Sequence, residues 1–600
     1  MDTPLLNERD IDFLLYELLD TESLLQRPRY REHSREIFDA TLNTARAIAG
    51  KYFANHNASG DANEPHFDGE KVHLIPETKQ AWDAFAAAGF FAAHCDEEEG
   101  GLQLPEVILR TAMAYISAAN VASAAYPFLT IGAANLIRSF AGEELKSRFL
   151  GPMLEGRFAG TMALTEPDQG SALGDLRTTA TPTEDGRFRL RGQKMYISGG
   201  DHSLTDNIVH MVLARIDGAP AGFKGISLFL VPKFLVSEQG QVGERNDVQL
   251  AGLLHKMGYR NTTSTVLSFG EHGGAVGYLV GEPNRGLSYM FQMMNEARIG
   301  VGMGATVLGY QGYNHALDYA RSRPQGRPPS NRDPSSPQVP IIRHADVRRM
   351  LLAQKTYVEG ALALCLYASS LHEDSHTAAD AAQRESAALL LDLLTPVVKS
   401  WPSRYGVVAN DLAIQVLGGA GYTREYPLEQ LYRDNRLNPI HEGTEGIQAL
   451  DLLGRKIPAG GLAAFQLLQE VIGQTLMEAR DCPALVAQAE ALEHSLQQLG
   501  ETTLQLMGQL QTDVDRGLAN ASLYLDAFGR VVLAWMWLRQ ALAAQRGLES
   551  ASGHSEQDFY RGKLQAAHYF SEWELPQVGP QLALLAAGNS TPYDMEDAWF

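Results

Sequence analysis

Gln415-Val416-Leu417-Gly418-Gly419-Ala420-Gly421-Tyr422, then Tyr426-Pro427-Leu428-Glu429, Arg433-Asp434 and Ile440-His441-Glu442-Gly443-Thr444-Glu445-Gly446-Ile447-Gln448, is the stretch that decides how this chain is read. Either half alone is a glycine-rich turn with a capping carboxylate. The ordered set is poorly explained that way, and its surroundings are helical. Apolar residues at helical spacing run from Leu287 to about Ile457. They are broken once, between Pro324 and Pro340, where six prolines among Ser, Asn and Asp predict an exposed loop joining two long helices. Gly300, Gly302 and Gly304 fall inside the first of these helices rather than after a strand, so they predict close helix packing and not a dinucleotide loop.

Upstream the pattern changes. Ile208-Val209-His210-Met211-Val212-Leu213 and Ile226-Ser227-Leu228-Phe229-Leu230-Val231 are short apolar runs bounded by Gly, Pro and Asp, which is strand grammar. From about Asp10 to Met153 the spacing is helical again. After Pro458-Ala459-Gly460-Gly461 a further region rich in Leu, Gln, Glu and Ala carries the run Val531-Val532-Leu533-Ala534-Trp535-Met536-Trp537-Leu538, as an added helical domain would. The fold class is α+β, mostly α: a helical domain over 1–157, a β domain over 158–280, a helical bundle over 281–460 and a helical extension over 461–600.

Composition excludes several functions. Lys plus Arg number 50 against 71 Asp plus Glu, a formal charge of -21, which opposes nucleic-acid binding. Cys95, Cys365 and Cys482 lie far apart without a CxxC, so neither a disulfide framework nor a cysteine zinc site is expected, and the chain reads as cytoplasmic. No secretory signal is evident at the amino terminus. The most apolar stretch, Ala387 to Trp401, is interrupted by Asp392, Pro396 and Lys399, so no integral membrane segment is expected. His372-Glu373-Asp374-Ser375-His376 has the HExxH spacing, but its surroundings are polar and no third ligand is evident downstream, so a solvated helix end is expected and no metal.

Three further segments accompany the first: Met162-Ala163-Leu164-Thr165-Glu166-Pro167-Asp168-Gln169-Gly170-Ser171, Lys194-Met195-Tyr196-Ile197-Ser198-Gly199-Gly200, and Asn295-Glu296-Ala297-Arg298 with Arg321-Ser322-Arg323-Pro324-Gln325-Gly326-Arg327. Together the four resemble the acyl-CoA dehydrogenase family over about Phe90 to Ile457, and the added carboxyl-terminal region is similar to that of its larger members. That resemblance implies FAD as cofactor and removal of two hydrogens across the α,β bond of a fatty acyl-CoA, giving the trans-2-enoyl-CoA. It implies Glu442 as the base for the α-proton. It also implies that the thioester carbonyl accepts hydrogen bonds from the Glu442 amide and a ribityl hydroxyl, while the β-hydride passes to flavin N5.

The same resemblance places Met162, Thr165, Gly170, Ser171, Tyr196, Ser198, Arg323, Gln325, Gln415, Gly418, Gly419 and Thr444 at FAD. It places Ser171, Asn295, Arg298 and Gly443 at the substrate. Tyr196 stands where many members carry Trp, Asn295 where several carry Asp, and His441 where many carry Tyr. A guanidinium suits a pyrophosphate because it donates paired charge-assisted hydrogen bonds, and glycine lets backbone approach a planar ligand. Expected partners are an electron-transfer flavoprotein as acceptor and a second copy of the chain, since the family's FAD site draws on two subunits. Medium or long straight acyl chains are expected, with a short or thioether group as the alternative. An acyl-CoA oxidase and a DNA-binding branch of the fold are the rival readings, the latter opposed by the charge and by the acidic tail Asp594-Met595-Glu596-Asp597.

Overall fold

The run that opens at Ile208 forms the strand Asn207–Ile216, and its first eight residues are all buried, because neighbours cover both of its faces. This strand belongs to the first of two compact units, His33–Ala297. The second is Arg298–Phe600 with the segment through Glu32. The computed structural model describes residues 3–600.

In the first unit an eight-stranded sheet runs in the order Val248–Leu253, Ser264–Phe269, Phe188–Ser198, Ala275–Val280, Ile226–Pro232, Asn207–Ile216, Phe158–Ala163. The short strand Thr179–Pro182 pairs antiparallel with Phe188–Ser198 and parallel with Asn207–Ile216. That double pairing closes the middle strands into a ring, filled by Leu190, Val212, Phe229, Val231, Leu267 and Phe269. Closure removes the free edges of those middle strands, while Val248–Leu253 and Phe158–Ala163 stay at the ends of the order. Against the outer face lies the helix Val121–Phe140, started by Asn120, whose side chain accepts from the Ser123 amide at 3.0 Å. Gly160 is needed at the contact, since a Cβ there would sit 2.5 Å from that of Ala133.

In the second unit the helix that began at Gly286 continues to Ser322, and Ala345–Thr377 follows the proline-rich loop, as expected. Ala381–Leu417 comes next, carrying Pro396 and Pro402 inside it. A Cβ at Gly302 would lie 2.0 Å from the Val398 carbonyl oxygen, so the glycine allows the close helix approach that the sequence predicts. Pro402 leaves that same carbonyl without its usual i+4 donor. The extension is helical throughout its long elements, and its central helix, Ala521–Ser550, is buried on nearly every side, which is what an apolar run on all faces produces. The segment through Glu32, read with the first helical stretch, packs in this unit: Asp10 accepts from Tyr310 at 3.0 Å and pairs with Lys563. No helix among the described residues is long and apolar enough to cross a membrane.

Candidate active site

In the first unit the strand Phe188–Ser198 is interrupted where Lys194 pairs with Leu267 but Ile197 with Thr265. Met195 and Tyr196 therefore oppose a single residue, a β-bulge. Tyr196 takes φ +62° and is 65% exposed. A bulky residue in the left-handed region is strained, and the bulge aims this ring outward. The Met195 amide, freed from the ladder, donates to the Thr165 carbonyl at 2.9 Å. Two of the four sequence segments are thus joined backbone to backbone.

Beneath them Lys194, fully buried, donates to the Leu164 carbonyl and to Glu166, both at 2.9 Å. Glu166 also accepts from the Arg177 and Thr178 amides and the Thr178 hydroxyl. Burial lowers the Lys194 pKa to about 8, with Glu166 pulling it back up. Met162 is partly buried, Thr165 half-buried, Gly170 and Ser171 exposed, and Ser198 half-buried opposite Ser264. Met162 also lines a cavity of about 40 Å³ with Leu109, Met113, Phe128, Ile131 and Met293. One side of that cavity is polar: His94 Nε2 meets Asn135 Oδ1 at 2.8 Å, and Asn135 donates to Glu296 at 3.0 Å.

In the second unit an asparagine ladder sets the loop that carries Glu442. Asn435 donates to Asn410 at 2.7 Å, Asn438 donates to Asn435 at 2.9 Å, and His441 Nε2 lies 3.0 Å from Asn438 Oδ1. Glu442 and Gly443 then follow at φ +53° and +88°. The Gln448 side chain donates to the Glu442 carbonyl at 2.9 Å, and the buried Lys399 donates to the Gly443 carbonyl at 2.7 Å. Thr444 caps the helix Glu445–Asp451.

The Glu442 carboxylate accepts no hydrogen bond and forms no ion pair among the described residues, and its amide donates to no acceptor there. Burial raises its pKa above the carboxylate value, and the charges of Arg298 and Lys399 oppose that rise. Burial also lowers His441 to about 3, with Lys399 adding to the effect, so this histidine is neutral and acts as a hydrogen-bonding spacer.

The other sequence-derived residues divide. Arg298 is buried and pairs with Asp451 at 2.8 Å, so its charge reaches Glu442 through space and is committed to a carboxylate. Asn295 is partly buried. Arg323, Gln325, Gln415, Gly418, Gly419 and Thr444 are exposed. Gly418 has φ +60° and open space where a Cβ would stand. Gln448 closed the motif stretch with no role assigned to it, and Lys399, Asp451 and the asparagine ladder were not given a role from sequence. Lys399 left a signal, a lone cation in an otherwise apolar run; Asp451 and the ladder left none. The HExxH residues end the helix Ala345–Thr377, where Glu373 is bonded to Tyr30 and Thr377.

The first unit thus presents an outward aromatic at Tyr196, and the second a half-buried carboxylate at Glu442 without a hydrogen-bond partner among the described residues. Family models for the acyl-CoA dehydrogenase N-terminal domain, middle domain and C-terminal domain match residues 38–157, 161–271 and 284–457. A fourth, described as acetyl-CoA dehydrogenase C-terminal like, matches 466–596. The chain is 34% identical to a 3-methylmercaptopropionyl-CoA dehydrogenase of Ruegeria pomeroyi over 96% of each chain. It is 33% identical to a broad-specificity linear acyl-CoA dehydrogenase of Mycobacterium tuberculosis over 99% of each. An acyl-CoA dehydrogenase of Bacillus anthracis, solved with FAD, shares the fold with TM-score 0.74 at 20% identity, covering 97% of this chain and 93% of that one.

The chain belongs to the acyl-CoA dehydrogenase family. It is an oxidoreductase, and its cofactor is FAD. The residues present fit that cofactor within each unit: an exposed ring able to cover a planar heterocycle at Tyr196, and bare backbone at Gly418 and Gly419.

Proposed function

We propose that the chain oxidises a fatty acyl-CoA to its trans-2-enoyl-CoA, with Glu442 as the base. The observation that carries this is the unpaired carboxylate of Glu442 on a strained, doubly anchored turn. A base must be free to accept a proton, and one whose pKa is raised by burial takes the α-proton more readily than an ordinary carboxylate. The Glu442 amide, without an acceptor of its own, is the donor for the thioester oxygen, where charge builds as the α-proton leaves. Met162, Thr165, Gly170, Ser171, Tyr196 and Ser198 would hold the flavin ring, and Ser171 would also meet the substrate. Arg323, Gln325, Gln415, Gly418, Gly419 and Thr444 serve the pyrophosphate and adenosine end, reaching the cofactor of a second subunit in a homodimer. Asn295, Arg298 and Gly443 border the thioester. FAD, when bound, supplies the two-electron acceptor for the β-hydrogen.

The reaction belongs to cytoplasmic fatty-acid β-oxidation, with an electron-transfer flavoprotein as electron acceptor. For the acyl group, the likeness to a broad-specificity linear acyl-CoA dehydrogenase supports a medium or long straight chain. A short or thioether chain is the second reading, supported by the likeness to a 3-methylmercaptopropionyl-CoA dehydrogenase. Anaerobic mixing of the yellow protein with acyl-CoAs of graded length, following flavin bleaching, tests both. The reaction assignment fails if no thioester bleaches the flavin, and the chain of fastest bleaching decides between the two acyl readings. Stoichiometric hydrogen peroxide under air would make the enzyme an oxidase instead.

A further inference from the structure

Lys399 sits in the middle of a 37-residue helix, yet its surroundings are not those of an ordinary helix lysine. Two prolines, Pro396 and Pro402, flank it inside the helix. Each removes one intrahelical hydrogen bond and fixes its own φ, so the segment between them is locally set. Gly302 clamps that segment from the facing helix by its contact with the Val398 carbonyl. The side chain is wholly buried, and its ammonium makes one hydrogen bond, to the Gly443 carbonyl at 2.7 Å. A buried ammonium whose bonded partner is a neutral carbonyl is costly to keep. Burial lowers the Lys399 pKa to about 8, the charges of Glu442 and Glu445 pull it back up and Arg298 pushes it further down, so the ammonium is present below about pH 8 and is lost above it. Two groups that could compete are already engaged, Arg298 with Asp451 and Glu445 with Arg404. His441, the remaining titratable neighbour, is held neutral by burial.

We propose that Lys399 is the positioning residue of the base: it anchors the Glu442–Gly443 turn through the Gly443 carbonyl and sets a positive charge next to the residue that carries the Glu442 carboxylate. The first role is mechanical. Left-handed backbone at a non-glycine residue persists only where its surroundings over-determine it, and here Lys399 and Gln448 grip the two successive carbonyls. The second role is electrostatic. Burial alone would drive Glu442 toward the protonated form, useless for taking a proton, and the ammonium offsets that drive. Neither role involves touching substrate. The proposal rests on the reading of Glu442 as base, so its test must fail separately from that reading.

Three variants of the FAD-loaded enzyme separate the cases: Lys399→Met, Lys399→Arg and Glu442→Gln, each checked for FAD content and circular dichroism. The readout is the first-order rate of anaerobic flavin reduction by a saturating acyl-CoA across pH, with the apparent substrate affinity. The ionised base is the active form, so the rate falls on the acid side as Glu442 protonates. Removing the neighbouring cation moves that fall to higher pH, by about one pH unit, because an opposite charge nearby favours the ionised carboxylate. Lys399→Met should show the displaced acid limb and a rate about 10–100-fold lower near neutrality, with little change in substrate affinity. Lys399→Arg keeps the charge and should keep the acid limb even where its larger head slows the reaction. An acid limb in Lys399→Met that coincides with that of the parent enzyme overturns the proposal, whatever the rate does, because a purely structural lysine predicts that result. If Lys399→Met does not fold, an acid limb displaced in Lys399→Arg overturns it equally. Rapid flavin reduction in Glu442→Gln sinks the base assignment and leaves the anchoring contact as a separate fact.

Discussion

Two sets of buried charges in the second unit are built on opposite plans. In the extension, Arg530 binds Glu574 at 2.5 Å, Asp526 at 3.3 Å and the Tyr405 hydroxyl. Nearby, Lys563 bridges Asp10 and Glu359 and bonds Gln540 at 3.0 Å. Arg530 and Lys563 each meet two carboxylates, so both of these cations are compensated. Around Glu442 the cations are spent elsewhere, Arg298 on Asp451 and Lys399 on a carbonyl, while the carboxylate stands alone. The difference separates architecture from chemistry. Ion pairs that staple helices are satisfied because a lone buried charge costs several kcal/mol. A base cannot be satisfied in that way and still accept a proton.

The sharpest way to break the contrast is to remove the lone charge. Glu442→Gln should lower the rate of flavin reduction by at least about 10³-fold, within the range for loss of a general base, while FAD stays bound and thioester still perturbs the flavin spectrum. A loss of less than tenfold would move the base elsewhere. Next in size is the opposite experiment on the paired set. Lys563→Met leaves Asp10 and Glu359 buried with less compensation and should cost about 3–5 kcal/mol in urea unfolding. If that variant unfolds like the parent, the network is ornamental and the comparison loses its structural half.

The pH dependence of catalysis sharpens the same point. Burial raises the Glu442 pKa, with Arg298 and Lys399 opposing, so the acid limb of flavin reduction should lie above the pH at which an ordinary carboxylate titrates, with activity present above it and lost as pH falls. An acid limb at or below the ordinary carboxylate value would mean that the two cations outweigh burial. Asp451→Asn extends the test. It frees Arg298 from its nearest acid and leaves more positive charge directed at Glu442, which should move the limb to lower pH.

Much of this was legible in the sequence, for a physical reason. Segments whose constraint is local announce themselves: the proline-rich break between two helices, the apolar run Val531 to Leu538 buried in a central helix, and the glycine that lets one helix approach another at Gly302. Tyr196 was identifiable as an aromatic, but the bulge that turns it outward depends on which residues of Ser264–Phe269 it faces, and strand register is not local. The pairing of Arg298 with Asp451 spans 153 positions and follows no periodicity. Lys399 was visible only as an interruption in an apolar stretch. Its meaning came from the carbonyl it meets, 44 residues away. The segment through Glu32 was read with its chain neighbours, whereas Phe13, Leu14 and Leu15 are wholly buried in the other unit.

The smallest effect asks whether the lone carboxylate is a burden on the fold. Glu442 carries two costs, a partly desolvated charge and a left-handed backbone, and two substitutions separate them. Glutamine keeps the backbone strain and removes the charge. A carboxylate with a raised folded pKa costs nothing below the pKa of the unfolded chain, where both states are protonated, and its cost grows as pH rises through the folded value. Glu442→Gln should therefore be more stable than the parent near pH 8, with the advantage fading as pH falls toward 4. Glycine removes the strain as well, about 1–2 kcal/mol for an L-residue at this φ, less roughly 0.5–1 kcal/mol for the greater freedom of glycine in the unfolded chain. Glu442→Gly should then exceed Glu442→Gln by between about 0 and about 1.5 kcal/mol, at every pH. If both variants are less stable than the parent near pH 8, the carboxylate has partners that hold it in place, and the separation between stapling charges and the working one disappears.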